Sequence, residues 1–183
     1  MPPGTAELPV AIVGSGACGL TAALMLRDAG IDCVLLERDA RPQGSTALSS
    51  GFIPAAGTRV QREAGVRDDA ARFAQDIQTK AHGTAAPHLV TAFTEAIAPA
   101  MDALQQRHGL PFELLDGFLY PGHSARRMHT LPQRTGAALV ALLDAAAVRA
   151  GALQLNDALV HELWCDADER MLGVGYQRPD GRT

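Results

Sequence analysis

The segment from Leu8 to Glu37 constrains the fold more than any other part of this 183-residue chain. Leu8-Pro9-Val10-Ala11-Ile12-Val13 is a short apolar run and is read as a buried parallel strand. It enters Gly14-Ser15-Gly16-Ala17-Cys18-Gly19, and Leu20 to Ala29 then offers Ala and Leu at helix-forming density, with Gly30 as its stop. Cys33-Val34-Leu35-Leu36-Glu37 is a second apolar strand ending in an acid. Strand, glycine turn, helix and strand within forty residues make a βαβ unit, so the chain is read as α/β with a Rossmann-like parallel sheet.

The glycine spacing carries chemistry. Gly14 permits a tight turn, Gly16 removes a Cβ where a diphosphate must approach, and Gly19 lets the helix lie close on the sheet. Phosphates then meet the helix N-terminus, where unpaired N–H groups and the dipole favour an anion. Glu37 stands eighteen residues beyond Gly19, placed to accept both hydroxyls of an adenosine ribose, and its charge would repel a 2′-phosphate. The glycines alone are a common turn. In register with both strands, the helix and the acid, they predict a dinucleotide site and disfavour NADP. NAD and FAD stay open at this point.

Composition narrows the alternatives. Net charge is −4, the sixteen basic residues are scattered, and aromatics are 4% of the chain, which argues against a nucleic-acid surface. No apolar run reaches the length of a membrane span, and Met1–Glu7 shows no secretory signal. Three cysteines (Cys18, Cys33, Cys165) without C-x-x-C spacing argue against a disulfide framework or structural zinc and fit a reducing cytoplasm. The length suits one domain, and no repeat or linker divides it.

After Glu37 the chain is loop-like to Thr58. Helices are expected over Asp68–Ala81 and Pro87–His108, the second broken or kinked at Pro99. Phe112–Tyr120 reads as strands around an Asp116-Gly117 turn, and Gly136–Ala150 as an apolar helix. Strands follow at Ala152–Leu155, Ala158–Cys165 and Met171–Tyr176. Gly44-Ser45-Thr46-Ala47-Leu48-Ser49-Ser50-Gly51 is a loop of small and hydroxylated residues suited to phosphate or ribityl oxygens, although composition alone also allows a solvated loop.

These motifs together resemble the N-terminal FAD-binding part of the fumarate reductase/succinate dehydrogenase flavoprotein family (the FAD-dependent oxidoreductase 2 family). The likeness covers Val10–Glu37, Gly44–Gly51, Ala55-Ala56-Gly57-Thr58, the G-H-S-x-x-R-x-H stretch Gly122–His129, Thr135-Gly136, and Asp157–Leu163 through Val174. The resemblance implies a glutathione-reductase-type FAD-binding fold with a C-terminal β-meander, and FAD as cofactor. It implies a cofactor set of Gly14, Gly16, Ala17, Gly19, Glu37, Arg38, Gly44, Ser45, Thr46, Ser49, Ser50 and Gly51, with the Val160 backbone against the adenine. Membrane-bound members carry a flavin-linking histidine where Ser45 stands, so the FAD is expected to be noncovalent.

The family's substrate-capping domain, its catalytic arginine and histidines, and an A-T-G-G strand find no counterpart in these residues. The chain is therefore expected to be a truncated, N-terminal part of an FAD-binding domain. It would meet a small-molecule substrate only if the missing half is supplied. The alternative is a non-catalytic nucleotide-binding module; an NAD dehydrogenase is disfavoured by the Ser/Thr loop. No catalytic or metal-ligating residue is assigned. For His123, Ser124, Arg127 and His129, a structural hydrogen-bonded turn is preferred over catalysis, because no acid–base partner stands at a defined spacing.

Overall fold

The computed structural model describes residues 10–181, so Leu8 and Pro9 of the first expected strand, and the N-terminal leader region, lie outside the described residues. The chain forms two compact units, one from residues 1–49 and 136–183 and the other from residues 50–135.

In the first unit, β1 (Val10–Val13), β2 (Cys33–Leu36) and β6 (Leu153–Leu155) form a parallel sheet in the order β1-β2-β6. Val10 pairs with Cys33, and Val34 with Leu153. The central strand β2 carries the continuous apolar run expected of a strand covered on both faces: Cys33, Leu35 and Leu36 are buried. The first strand departs from expectation. Among the described strands it lies at an edge, and its Ala11 and Val13 are exposed.

Helix α1 (Ala17–Asp28) buries Gly19, Leu20, Ala23 and Leu24, one face of a helix. Leu20 and Leu24 are fully buried, each worth about 1.5–3 kcal/mol relative to exposure. It ends where the sequence indicates: Gly30 takes φ +74° and Ile31 N–H donates to the Leu26 carbonyl, satisfying a carbonyl of the last turn. Helix α6 (Gly136–Arg149) buries a wider stripe, Gly136, Leu139, Val140, Leu143, Ala146 and Ala147. The expected meander is a two-stranded antiparallel hairpin, β7 (Leu159–Cys165) with β8 (Met171–Gln177).

The second unit holds three short antiparallel strands, β3 (Ile53–Pro54), β5 (Met128–Thr130) and β4 (Glu113–Leu114), in the order β3-β5-β4. It also holds α3 (Arg59–Glu63), α4 (Ala70–Lys80) and α5 (Pro87–His108). A capping box starts α3: Thr58 Oγ1 accepts from Gln61 N–H, and the Gln61 side chain accepts from the Thr58 amide. Asp69 caps α4, Pro87 opens α5 and Gly109 closes it in the left-handed region.

Two sequence expectations are corrected in this unit, a break of the second long helix at Pro99 and a strand reaching Tyr120. Helix α5 is assigned without a break through Pro99, because Pro99 lies on an exposed face while Val90, Thr94, Ala98, Met101 and Leu104 bury the other. Packing of that face outweighs the lost backbone hydrogen bond. Phe118–Tyr120 forms no strand and is exposed, whereas Glu113–Leu114 pairs with the buried Met128–Thr130. The strand at residues 128–130 and the short helix at 59–63 were not expected.

Candidate dinucleotide site

The first unit assembles the glycine motif at the carboxyl end of β1. Gly14 takes φ +96°, a conformation that disfavours any side chain, and its N–H donates to the Leu36 carbonyl at 2.8 Å. Gly19 is required by volume. A Cβ there would overlap the Gly14 carbonyl oxygen and stand 3.2 Å from the Ile12 side chain. Gly16 is the N-cap of α1 and offers no side-chain cap, and the first turn holds no acidic residue. The start of α1 thus carries neither a cap from its own N-cap side chain nor an acid in its first turn. A Cβ on Gly16 would reach only Thr46 Oγ1, at 3.5 Å.

Glu37 is drawn into this loop. It is buried, and its Oε2 accepts from the Ser15 N–H at 2.8 Å while Oε1 accepts from the Asp39 N–H at 3.1 Å. Its own carbonyl accepts from the Ala158 N–H at 2.8 Å, two residues before Val160 at the start of β7. The strand acid, the glycine loop and the hairpin entry thus converge through hydrogen bonds. Arg38, next in sequence, is exposed and pairs with Asp39.

The hydroxyl loop contains one helical turn, α2 (Ser45–Leu48), entered through Gly44 at φ +81°. Thr46 Oγ1 accepts from the Ala17 N–H at 3.3 Å, and Ser49 Oγ donates to the Thr46 carbonyl at 2.7 Å. Gly136 seats this turn on α6: its N–H donates to the Ser49 carbonyl, and a Cβ there would overlap the Thr46 carbonyl oxygen. Ser45 is exposed. Ser50 and Gly51 belong to the other unit, where Ser50 is exposed and Gly51 is buried at φ +68°.

The sequence reading left Ser15 and Gly136 outside the site. Ser15 is fully buried, and its Oγ has no hydrogen-bond partner among the described residues. An orphaned hydroxyl between two motif glycines, next to a helix N-terminus whose N-cap is a glycine, fits the diphosphate of a dinucleotide. Its only sequence signal was its place between Gly14 and Gly16.

In the second unit the Gly122–His129 stretch contributes Arg127 and His129 to a buried network, while Gly122 and Ser124 are exposed. Arg127, fully buried, holds Asp68 in a fork, with both Nε and Nη2 at 2.8 Å from carboxylate oxygens, and reaches Asp76 Oδ2 at 2.5 Å. Its guanidinium lies 4.5 Å from the centre of the Phe73 ring. Burial opposes the Arg127 charge, but its bonds to Asp68 and Asp76 outweigh that and hold the group above the ordinary arginine value. Burial would likewise raise Asp76. The Ser124 amide and hydroxyl, with Arg127, prevail and hold its carboxyl below the usual range.

His129 Nδ1 faces the Arg127 carbonyl at 2.9 Å; a carbonyl only accepts, which assigns the proton to Nδ1. Nε2 then accepts from Thr58 Oγ1 at 2.8 Å. Burial lowers the His129 pKa, against smaller opposing effects of the Arg127 and Ile53 carbonyls and of Asp102. Burial, then Arg127 and Lys80, lower that of His123. An imidazole kept neutral in the fold but free to protonate when unfolded makes the unfolded state bind more protons, so stability falls as pH drops below about 6.5. Urea unfolding is expected to show a lower midpoint at pH 5.5 than at pH 7.5, with the difference reduced in His129→Gln. An equal pH dependence in the variant would remove His129 as its source.

Comparison with known proteins follows the same lines. The family model described as "FAD binding domain" matches residues 9–183. Urocanate reductase of Eggerthella lenta is 28% identical over 171 residues, covering 93% of this chain and 28% of that protein. NADH:fumarate oxidoreductase of Klebsiella pneumoniae is 32% identical over 164 residues, covering 87% of this chain and 17% of that protein. The chain thus spans less than a third of each of these relatives. Among solved structures, the open conformation of a flavocytochrome c3 fumarate reductase superposes with a TM-score of 0.82 at 26% identity, over 94% of this chain and 32% of that one. The fold is also that of 3-ketosteroid-delta4-(5alpha)-dehydrogenase from Rhodococcus jostii RHA1, with a TM-score of 0.80 at 23% identity, over 98% of this chain and 44% of that one. No helix among the described residues is long and apolar enough to cross a membrane. The glycine loop, the strand acid and the family match agree, and the chain belongs to the FAD-binding domain family of fumarate reductase-like flavoenzymes, with FAD as its cofactor.

Proposed function

We propose that this chain supplies the ADP-binding half of a noncovalent FAD site in a flavin-dependent oxidoreductase. The reaction is hydride transfer between the flavin and a carbon adjacent to a carbonyl or carboxylate, and bound FAD supplies that redox chemistry. The residues of this chain bind and orient. Gly14, Gly16 and Gly19, with the Ala17 turn, admit the diphosphate, and Glu37 accepts the ribose hydroxyls beside Arg38. Gly44, Ser45, Thr46, Ser49, Ser50 and Gly51 line the phosphates and the flavin edge, and the Val160 backbone meets the adenine. The relatives named for urocanate and fumarate support a conjugated carboxylate as substrate. The acidic balance speaks against a nucleic-acid partner, and three free thiols support a reducing cytoplasm.

The observation that carries this reading is the buried Glu37 carboxylate anchored to the Ser15 amide beside the glycine-capped start of α1. The test is the visible spectrum of the purified protein after incubation with FAD and desalting. A flavin band that stays through desalting and leaves with acid is expected; a colourless protein would overturn the reading. Glu37→Ala is expected to weaken FAD binding by about 1–3 kcal/mol. An unchanged dissociation constant would take Glu37 out of the site.

A second reading, a nucleotide-binding module without catalysis of its own, draws support from Arg127 and His129. Both are buried, and each is hydrogen-bonded within the second unit. Reoxidation of the dithionite-reduced, FAD-loaded chain by fumarate or urocanate, faster than free reduced FAD allows, would refute it.

A further inference from the structure

We propose that β8 is a pairing edge for a second copy of this chain, joined antiparallel across a two-fold axis so that two hairpins make one four-stranded sheet. Among the described residues no other strand lies beside the β7–β8 hairpin, so both of its outer edges are open. The hairpin is also apolar without being covered: Leu163, Trp164, Met171 and Leu172 are each more than half exposed. A lone two-stranded hairpin is marginal in water, and three or more strands with an apolar face are the stable form.

The two edges differ. β7 carries His161 and Glu162, and its register is interrupted between Val160 and Glu162, where His161 has no residue opposite. Charge and irregularity are how sheet edges resist further pairing. β8 holds no charged residue and no proline from Met171 to Gln177, and Gly173–Gln177 runs without an unpaired residue. Its glycines leave no gap in the sheet face, because the Trp164 ring lies over both. A Cβ would stand 3.5 Å from that ring at Gly173 and 3.3 Å at Gly175. Pairing along this edge gives Leu172, Val174 and Tyr176 the cross-strand neighbours they lack on that side.

Charge selects the occupant and its direction. The hairpin turn holds Asp168 and Glu169, and the other end of β8 leads into Arg178. None of these three side chains has a partner among the described residues. Antiparallel two-fold pairing sets the acidic turn of each copy beside Arg178 of the other, twice per dimer, whereas parallel pairing sets like ends together. The contact is isologous, so it closes at two copies.

Sedimentation velocity of the purified chain across the micromolar range tests this. The mass should rise with concentration to twice the 19.2 kDa of one chain. Leu172→Lys, a charge of the kind that blunts natural edges, should stay monomeric over the same range with parental circular dichroism. Arg178→Glu should raise the dimer dissociation constant about fivefold or more, because each dimer loses two ion pairs and gains two repulsions. Adding Asp168→Lys to Arg178→Glu should restore association. A parent chain that keeps the monomer mass at every concentration would leave the edge to a strand of another polypeptide and overturn the proposal. So would a Leu172→Lys protein that still dimerises, a charge swap that restores nothing, or assembly beyond two copies.

Discussion

Gly19→Val is expected to abolish FAD uptake and to unfold the first unit or shift α1 away from the sheet. Even the Cβ of alanine would overlap the Gly14 carbonyl oxygen, and neither side of that contact can yield cheaply. Gly14 is held by its N–H bond to Leu36, and α1 is held by Leu20, Ala23 and Leu24, each fully buried. Relief requires moving the helix, which separates Gly16 and Ala17 from Thr46 and forfeits core contacts, or bending the loop, which separates Ser15 from Glu37. Overpacking of a tight contact costs about 1–3 kcal/mol when side chains can adjust. A backbone neighbour places this substitution above that range. Far-UV circular dichroism with FAD titration checks it: a folded Gly19→Val protein with parental affinity would show that helix and loop are not in this contact.

Arg127→Met should destabilise the second unit by about 3–5 kcal/mol, the range for removing one partner of a buried ion pair. Asp68 has a fully buried side chain and receives two guanidinium bonds; without them its carboxylate remains in the interior, holding the Gln61 side-chain amide at 3.0 Å. Asp76 keeps the Ser124 amide and hydroxyl and loses the arginine. The stacked Phe73 ring loses its cation as well. Urea unfolding followed by circular dichroism should show a midpoint lowered by about 1–3 M. Arg127→Met combined with Asp68→Asn should recover part of the loss by removing the stranded charge. A single variant within about 0.5 kcal/mol of the parent would mean that the network contributes nothing net, as some buried ion pairs do.

Comparing these two substitutions separates what a linear reading reaches from what it does not. Gly19 announces itself, because a fixed spacing after a strand is a local rule and the overlap it avoids is only five residues away. Arg127 does not, since its partners stand 51 and 59 residues back and nothing in the spacing marks them. The identity of the carboxylates that hold this stretch came from the fold. The same limit explains Phe118–Tyr120. Local apolar content suggested a strand, yet the partner of Glu113–Leu114 is Met128–Thr130.

From the residues alone came the βαβ unit, the helix boundaries near Gly30, Pro87 and Gly109, and the choice of Glu37, each governed by backbone geometry within a few residues. Tertiary structure decided that the 50–135 segment forms a unit of its own. It also decided that Gly136 seats the Thr46 turn, and that the buried Ser15 hydroxyl has no hydrogen-bond partner among the described residues. The division has a physical cause. Turn, cap and helix preferences are set by short-range sterics, whereas burial and hydrogen-bond satisfaction depend on groups brought together from distant parts of the chain.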